Sequence, residues 1–344
     1  MILATGQDRC YDTRGREIPC QGTGQDGQWR FGLSGFPRFK VQGELVEDLL
    51  TGLFWPKNAA LFEFPMSWEE ALRAVARLNR ENFLGFSDWR LPNRRELRSL
   101  VFYQAKNPVL PPGHPFENLF HGWYWTSTTA VINPRYAWNV HFGGGRMFYS
   151  HKEDERMVWP VRGRFRLPAT GQHTCYNTLG NPVSCSGTGQ DGEIRSGLPW
   201  PEPRFELRAE AVFDRLTGLF WTRLADLAPG RVTWEEAFQV VVELNRRKFS
   251  GFSDWRLPNI NELESLVDAQ YHSPALPRDH PFQEVREYYW SSTTSFYDPL
   301  WAWALYLAKG AVGIGLKHGP HFYVWAVRGR PWRPREDSNP QPAD

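Results

Sequence analysis

The feature that most constrains this chain is that it is written twice. The nonapeptide GFSDWRLPN stands at 85–93 and again, unchanged, at 251–259. In the same order around it, TGQDRCYDTRG at 5 aligns with TGQHTCYNTLG at 170, and GTGQDG at 22 returns at 187. LTGLFW at 50 and 216, HPF at 114 and 280, and VWPVRG at 158 against VWAVRG at 324 complete the series. The offset is 165 or 166 throughout, so insertions are nearly absent. A period that long is a whole domain rather than a solenoid unit. Two tandem domains are expected, 1–166 and 167–330, each folding on its own. A tail at 331–344 follows, rich enough in proline and charge to predict disorder.

Each unit reads as helices first and strands later. In MSWEEALRAVARLNR, Ser67 and Glu70 form a capping box, in which hydroxyl and carboxylate each satisfy an orphan N–H. Trp68, Leu72 and Val75 then recur on one helical face, and Thr233, Glu236, Trp234, Phe238 and Val241 repeat the arrangement. The nonapeptide ends on Asn93, an N-cap with Glu96 as its box partner. Asn259 and Glu262 match them. GFSD therefore reads as a turn, WRL as a short buried strand and Pro-Asn as a helix entry, with the motif's own Arg and Asp open to pairing. YWTSTT and YWSSTT are strand-forming runs. YAWNVHF puts Tyr136, Trp138, Val140 and Phe142 on one face before GGGRMFYS returns as a hairpin. The sum is an α+β pattern, with two helices and an antiparallel meander per unit.

Composition narrows the function classes. A net charge of +2 carries no basic excess for nucleic acid. No apolar run is long enough to span a bilayer. The 17 Trp suit an aromatic β core or a sugar-stacking surface. Cys10 and Cys20, and again Cys175 and Cys185, enclose nine residues with turn formers between them. That spacing fits a hairpin closed by a disulfide. Zinc would need four ligands per site, and free thiols are the third alternative. Disulfides place the protein in the periplasm or outside the cell, yet MILATGQDRC has neither the basic nor the apolar region of a signal peptide.

No G-x-S-x-G, H-E-x-x-H or P-loop is present. His114 and His280 are the only histidines shared between copies and are expected to make loop hydrogen bonds. Ser127 and Ser292 read as strand residues. Asp26 and Asp191 read as tight-turn residues, with a calcium site as the alternative. No catalytic residue, metal or cofactor is assigned, and an enzyme of unknown reaction ranks last. The copies differ most in the late hairpin, polar in HFGGGRMFYSHKEDER and glycine-rich in YLAKGAVGIGLKHGPHFY. Alternation leaves one hairpin face free, where aromatic and cationic side chains can stack on rings or pair with acids. The ligand-binding candidates are Trp123, Arg135, His141, Arg146 and Tyr149 in the first copy, and Tyr288, Tyr297, Trp301, Lys309 and Lys317 in the second.

The ordered blocks TGQ…CY…C.GTGQDG, TGLFW, W.EA…LN, GFSDWRLPN..EL.SL, YW.STT and V..VRG resemble the Lcl C-terminal domain family over 5–163 and 170–329. WRLPN..EL is also similar to an element of formylglycine-generating-enzyme-type domains. That likeness implies a C-type-lectin-like fold, two helices packed on a twisted antiparallel sheet, in each unit. It does not carry over the oxidase chemistry, because this chain has no cysteine after Cys185 and none between Cys20 and Cys175. The family's collagen-like adhesin binds sulfated polysaccharides, whereas neither copy here has a clear basic run. The expectation is a non-catalytic extracytoplasmic binding or adhesion module for a glycan or a cell-surface partner. The alternative is an assembly protein that docks a protein partner through aromatic surface.

Overall fold

The computed structural model describes residues 1–332, so the tail expected from 331 lies outside the described residues except for Pro331 and Trp332. The fold is α+β, and the two halves repeat each other element by element. The first half has helices α1 (Trp68–Arg80) and α2 (Arg94–Arg98) and strands β1 (Trp123–Thr129), β2 (Tyr136–His141) and β3 (Met147–His151). Its counterpart has α3 (Trp234–Arg246), α4 (Ile260–Ser265), β4 (Tyr288–Thr294), β5 (Trp301–Tyr306) and β6 (Ala311–Leu316). Each half also carries a small antiparallel sheet of four strands, Phe39–Gln42, Leu45–Asp48, Leu53–Pro56 and Arg162–Gly163 in the first.

Local chemistry accounts for the helices. Both boxes form: Glu70 Oε2 accepts from the Ser67 N–H at 2.9 Å, and Glu236 Oε2 from that of Thr233 at 2.8 Å. The buried stripe of α1 is Trp68, Ala71, Val75 and Leu78, and the Trp68 indole donates to the Thr126 carbonyl at 2.8 Å. Asn93 Oδ1 accepts from the Arg95 and Glu96 N–H groups, both at 2.9 Å. Glu96 returns to the Asn93 N–H at 2.8 Å. The WRL segment is less than a strand. It makes one isolated bridge, Arg90 to Val161, and Trp89 is instead clamped by the Asn79 side-chain amide at 2.7 and 2.8 Å. The Arg and Asp of the nonapeptide do not pair with each other. Arg90 reaches Glu96 at 2.6 Å, and Asp88 takes Arg162 at 2.7 Å.

The halves are fused. Their strands form one six-stranded sheet in the order β4-β5-β6-β3-β2-β1, joined where Met147 pairs with Val312. One apolar core runs through both, with Trp55, Leu97 and Trp138 of the first half in the same cluster as Trp221, Leu263 and Trp303 of the second.

The disulfide segments are exchanged between the halves. Cys10–Cys20 and Cys175–Cys185 are both bonded, each closing a two-stranded hairpin. The first hairpin segment packs on the second half. There the Gln7 amide brackets Thr294, donating to its carbonyl and accepting its N–H, both at 2.9 Å. Gln172 does the same to Thr129 of the first half, again at 2.9 Å. Asp26 Oδ2 accepts from Thr5 and Thr293, both at 2.7 Å, and Asp191 Oδ2 from Thr170 at 2.7 Å and Thr128 at 2.6 Å. These carboxylates open one-turn helices and are buried. The turn and calcium readings therefore give way to a pin between repeats. The divisions 1–166 and 167–330 follow the sequence repeat, but each body in space borrows its hairpin from the other.

Candidate functional site

Alternation along β2 sends Tyr136, Trp138 and Val140 into the shared core and Ala137, Asn139 and His141 to the opposite face. Under α1 that outer face is closed by Trp125 and Ala137, which pack with Trp68 and Ala71. Farther along the strands lie Trp123 and His141, half-buried, with ring centroids 4.8 Å apart. The Gly144 N–H donates to His141 Nδ1 at 3.0 Å, which leaves Nε2 as the protonated nitrogen of the neutral ring. Burial, then the charges of Arg146 and His121, hold this imidazole below its ordinary pKa. Arg146 is exposed at the hairpin tip, and Phe148 beyond it stacks on Tyr149 at 4.7 Å. Lys309 reaches over from the second half, its Nζ 5.5 Å from the Phe148 ring.

The counterpart face of the second half is aromatic. Tyr288, Tyr306, His321 and Phe322 line a pocket of about 370 Å³, edged also by Trp301 and Ile314, whose places in β5 and β6 are those of core-facing side chains. Tyr306 packs on Phe322 at 5.6 Å and on Tyr288 at 5.5 Å. Two glycines of the divergent hairpin allow this. A Cβ on Gly315 would sit 2.0 Å from the Phe322 ring, and one on Gly313 would sit 2.8 Å from that of Tyr306. At matching positions the first half has Asn139 for Ala304, His141 for Tyr306, Ser150 for Gly315 and Arg156 for Phe322. Asn139 Nδ2 and Arg156 Nη2 both donate to Ser150 Oγ, at 2.8 and 2.9 Å. One framework thus presents a polar, cationic surface in one half and a ring-lined pocket in the other.

The structure brings together Trp123, His141, Arg146, Tyr149 and Lys309 along the first hairpin, and Tyr288 with Trp301 in the pocket. Three candidates stand elsewhere. Arg135 donates to the Leu179 carbonyl at 3.2 Å and so holds the exchanged hairpin. Tyr297 is 55% exposed beside Lys106, 5.7 Å from its ring. Lys317 is a correction, because it is fully buried. Its Nζ lies 4.0 Å over Trp234 and donates to the carbonyls of Tyr11 and Asp12 at 3.4 and 3.3 Å. Lys152 does the same over Trp68, donating to Tyr176 and Asn177 at 3.1 and 3.3 Å. Burial pushes both ammonium groups down to about 7. Tyr149 is partly committed as well, edge-on to Trp138 at 5.3 Å. His114 and His280 do not make the expected loop bonds. Their Nδ1 atoms are buried without a partner, and the rings stack on Phe116 and Phe282.

Sequence reasoning missed Lys152, Asn139, Arg156, Tyr306 and Phe322. Comparing the two copies position by position on the free face carried the signal for all but Lys152. A family model for the Lcl C-terminal domain matches residues 44–162 and 210–328, so both disulfide hairpins lie outside the matched spans. No curated protein matches the chain.

Proposed function

The chain belongs to the Lcl C-terminal domain family through both of its halves, and from that premise we propose that it is a non-catalytic binding module of an extracytoplasmic compartment. Each half is a variant of the C-type-lectin-like fold, and the ligand is a glycan met by the outer face of the six-stranded sheet. Two disulfides support the compartment, since such bonds persist where the milieu is oxidising. No helix among the described residues is long and apolar enough to cross a membrane.

The observation that carries the reading is the ring-lined pocket of the second half, with Tyr288, Tyr306 and Phe322 around it, Trp301 at its edge and His321 at its side. Aromatic faces stack on sugar rings while hydroxyl and imidazole groups bond to the sugar's periphery. The first half offers Trp123 with His141, Arg146 and Arg156 at the matching place. Two linked sites add avidity when one ligand spans both.

Titration against a glycan panel, paired with thermal melts, tests the proposal. Tyr288→Ala and Arg146→Ala are expected to weaken binding about tenfold each, the worth of roughly 1.4 kcal/mol, with little change in the melting of the Arg146 variant. If these variants keep full affinity while folded Asn93→Ala protein loses it, the ligand is not on this face.

A further inference from the structure

Helices α2 and α4 occupy matching places in the repeat and meet across the join, yet their charges are opposite. The α2 face carries Arg94, Arg95 and Arg98, and the same positions of α4 are Ile260, Asn261 and Glu264. Arg98 Nη2 stands 3.2 Å from Glu264 Oε2, and Arg94 Nη2 stands 3.8 Å from Oε1. Arg95 donates to the carbonyls of Ser265 and Val267 at 3.2 and 2.8 Å, and Arg94 donates to that of Gly310. Asn261 accepts from the Tyr103 hydroxyl at 2.9 Å. Arg94, Arg98 and Glu264 are all buried.

The glutamine clamps of the hairpin exchange cannot choose a partner. Gln7 to Thr294 and Gln172 to Thr129 are the same contact made by the same motif, so by these clamps a first half would fit another first half as well. The helix pair breaks that tie. Joining two first halves would set six arginines face to face without a Glu264, since Glu96, the carboxylate of α2, is already held by Arg90 and the Asn93 cap, and joining two second halves would set Glu264 against its own copy. Buried like charges without counter-charge are strongly destabilising, and discrimination between partners often lies in such repulsion. We propose that this face is a recognition surface that accepts a half of the opposite kind and rejects its own. The partner it fits is a second domain of this family whose α2-equivalent helix bears a carboxylate, supplied here by the same chain. The seam where Lys309 covers Phe148 exists only in that mixed pair.

The full chain serves as the test. Glu264→Arg is expected to lower the melting temperature by roughly 5–10 °C, and Arg98→Glu by less, because Arg94 still faces the new carboxylate. The swap R98E/E264R is expected to recover at least half of the loss. Should Glu264→Arg not fold, Glu264→Gln keeps the shape without the charge and is expected to fold and melt below the wild type. Recognition itself is read by mixing two chains, one carrying I260R/N261R/E264R and the other R94I/R95N/R98E. Light scattering is expected to show a 1:1 dimer on mixing that neither chain forms alone. Glu264→Arg or Glu264→Gln protein that melts with the wild type, a swap that recovers nothing, or no dimer on mixing overturns the proposal.

Discussion

The buried aspartates of the exchange are expected to make stability fall as pH rises toward neutrality. Asp26 titrates at about 7 instead of 3.8. Burial is the largest cause; the Thr293 and Thr5 hydroxyls pull the other way, Glu262 pushes up and Arg256 pulls down. A carboxyl raised in the folded state holds its proton more tightly there than in the unfolded chain. Its contribution is therefore fully present below about pH 4 and is lost as pH rises through 7. About three decades of proton affinity correspond to roughly 4 kcal/mol for Asp26. Asp191, raised to about 6 by burial although the Thr128 and Thr170 hydroxyls pull it down, adds roughly 3 kcal/mol over a slightly lower window. Urea titrations read by tryptophan fluorescence between pH 4.5 and 7.5 measure the slope. Asp26→Asn keeps an acceptor for both threonines and removes the proton, so most of the slope is expected to disappear while the fold persists. A wild-type stability that is flat or rising across this window, or an Asp26→Asn slope equal to the wild type's, refutes the reasoning.

Two further outcomes are expected. Lys152 and Lys317 are depressed from 10.5 to about 7 by burial, so the unfolded chain holds these protons more tightly and stability should rise from pH 7 to 10.5. Lys152→Met is expected to remove about half of that rise in the same urea titrations, since Lys317 remains. Gly315→Ala forces a Cβ to within 2.0 Å of the Phe322 ring and is expected to destabilise the fold by about 1–3 kcal/mol and to weaken ligand binding by the second half, measured by melt and titration together.

Legibility in the sequence followed locality. The boxes at Ser67, Asn93, Thr233 and Asn259 could be read because cap and partner lie three residues apart. Both disulfide hairpins were legible for the same reason. The exchange was not. Gln7 and Thr294 are 287 residues apart, and since TGQ and STT occur in both copies, the sequence cannot say whether Gln7 clamps Thr129 or Thr294. Lys317 was misplaced because strand parity alone does not show that a hairpin from the other repeat covers the strand's end. The free face was found in part, since alternation separates Trp123 and His141 from Trp138 and Val140. The polar bracket of Asn139, Ser150 and Arg156 escaped because Arg156 lies beyond the strands that parity describes.

The repeated motifs and the divergent ones divide the work between them. Gln7 and Gln172 bracket Thr294 and Thr129; Asp26 and Asp191 bond the threonines beside them; Asn93 donates to the Ser196 carbonyl at 3.1 Å, and Ser196 donates to Glu96 at 2.7 Å. TGQ, GTGQDG, STT and WRLPN with its glutamate thus converge on one feature, the seat of the exchanged hairpin. Side chains committed to that seat leave few groups for a ligand, and a substitution among them acts first on folding. The positions at liberty to differ are those the seat does not use: His141 against Tyr306, Arg156 against Phe322, Asn139 against Ala304. Repeating the framework keeps the two halves fitted to each other, while divergence on the outer face gives one molecule two surfaces of different chemistry, and the opposed helices α2 and α4 ensure that both surfaces are present in every closed molecule.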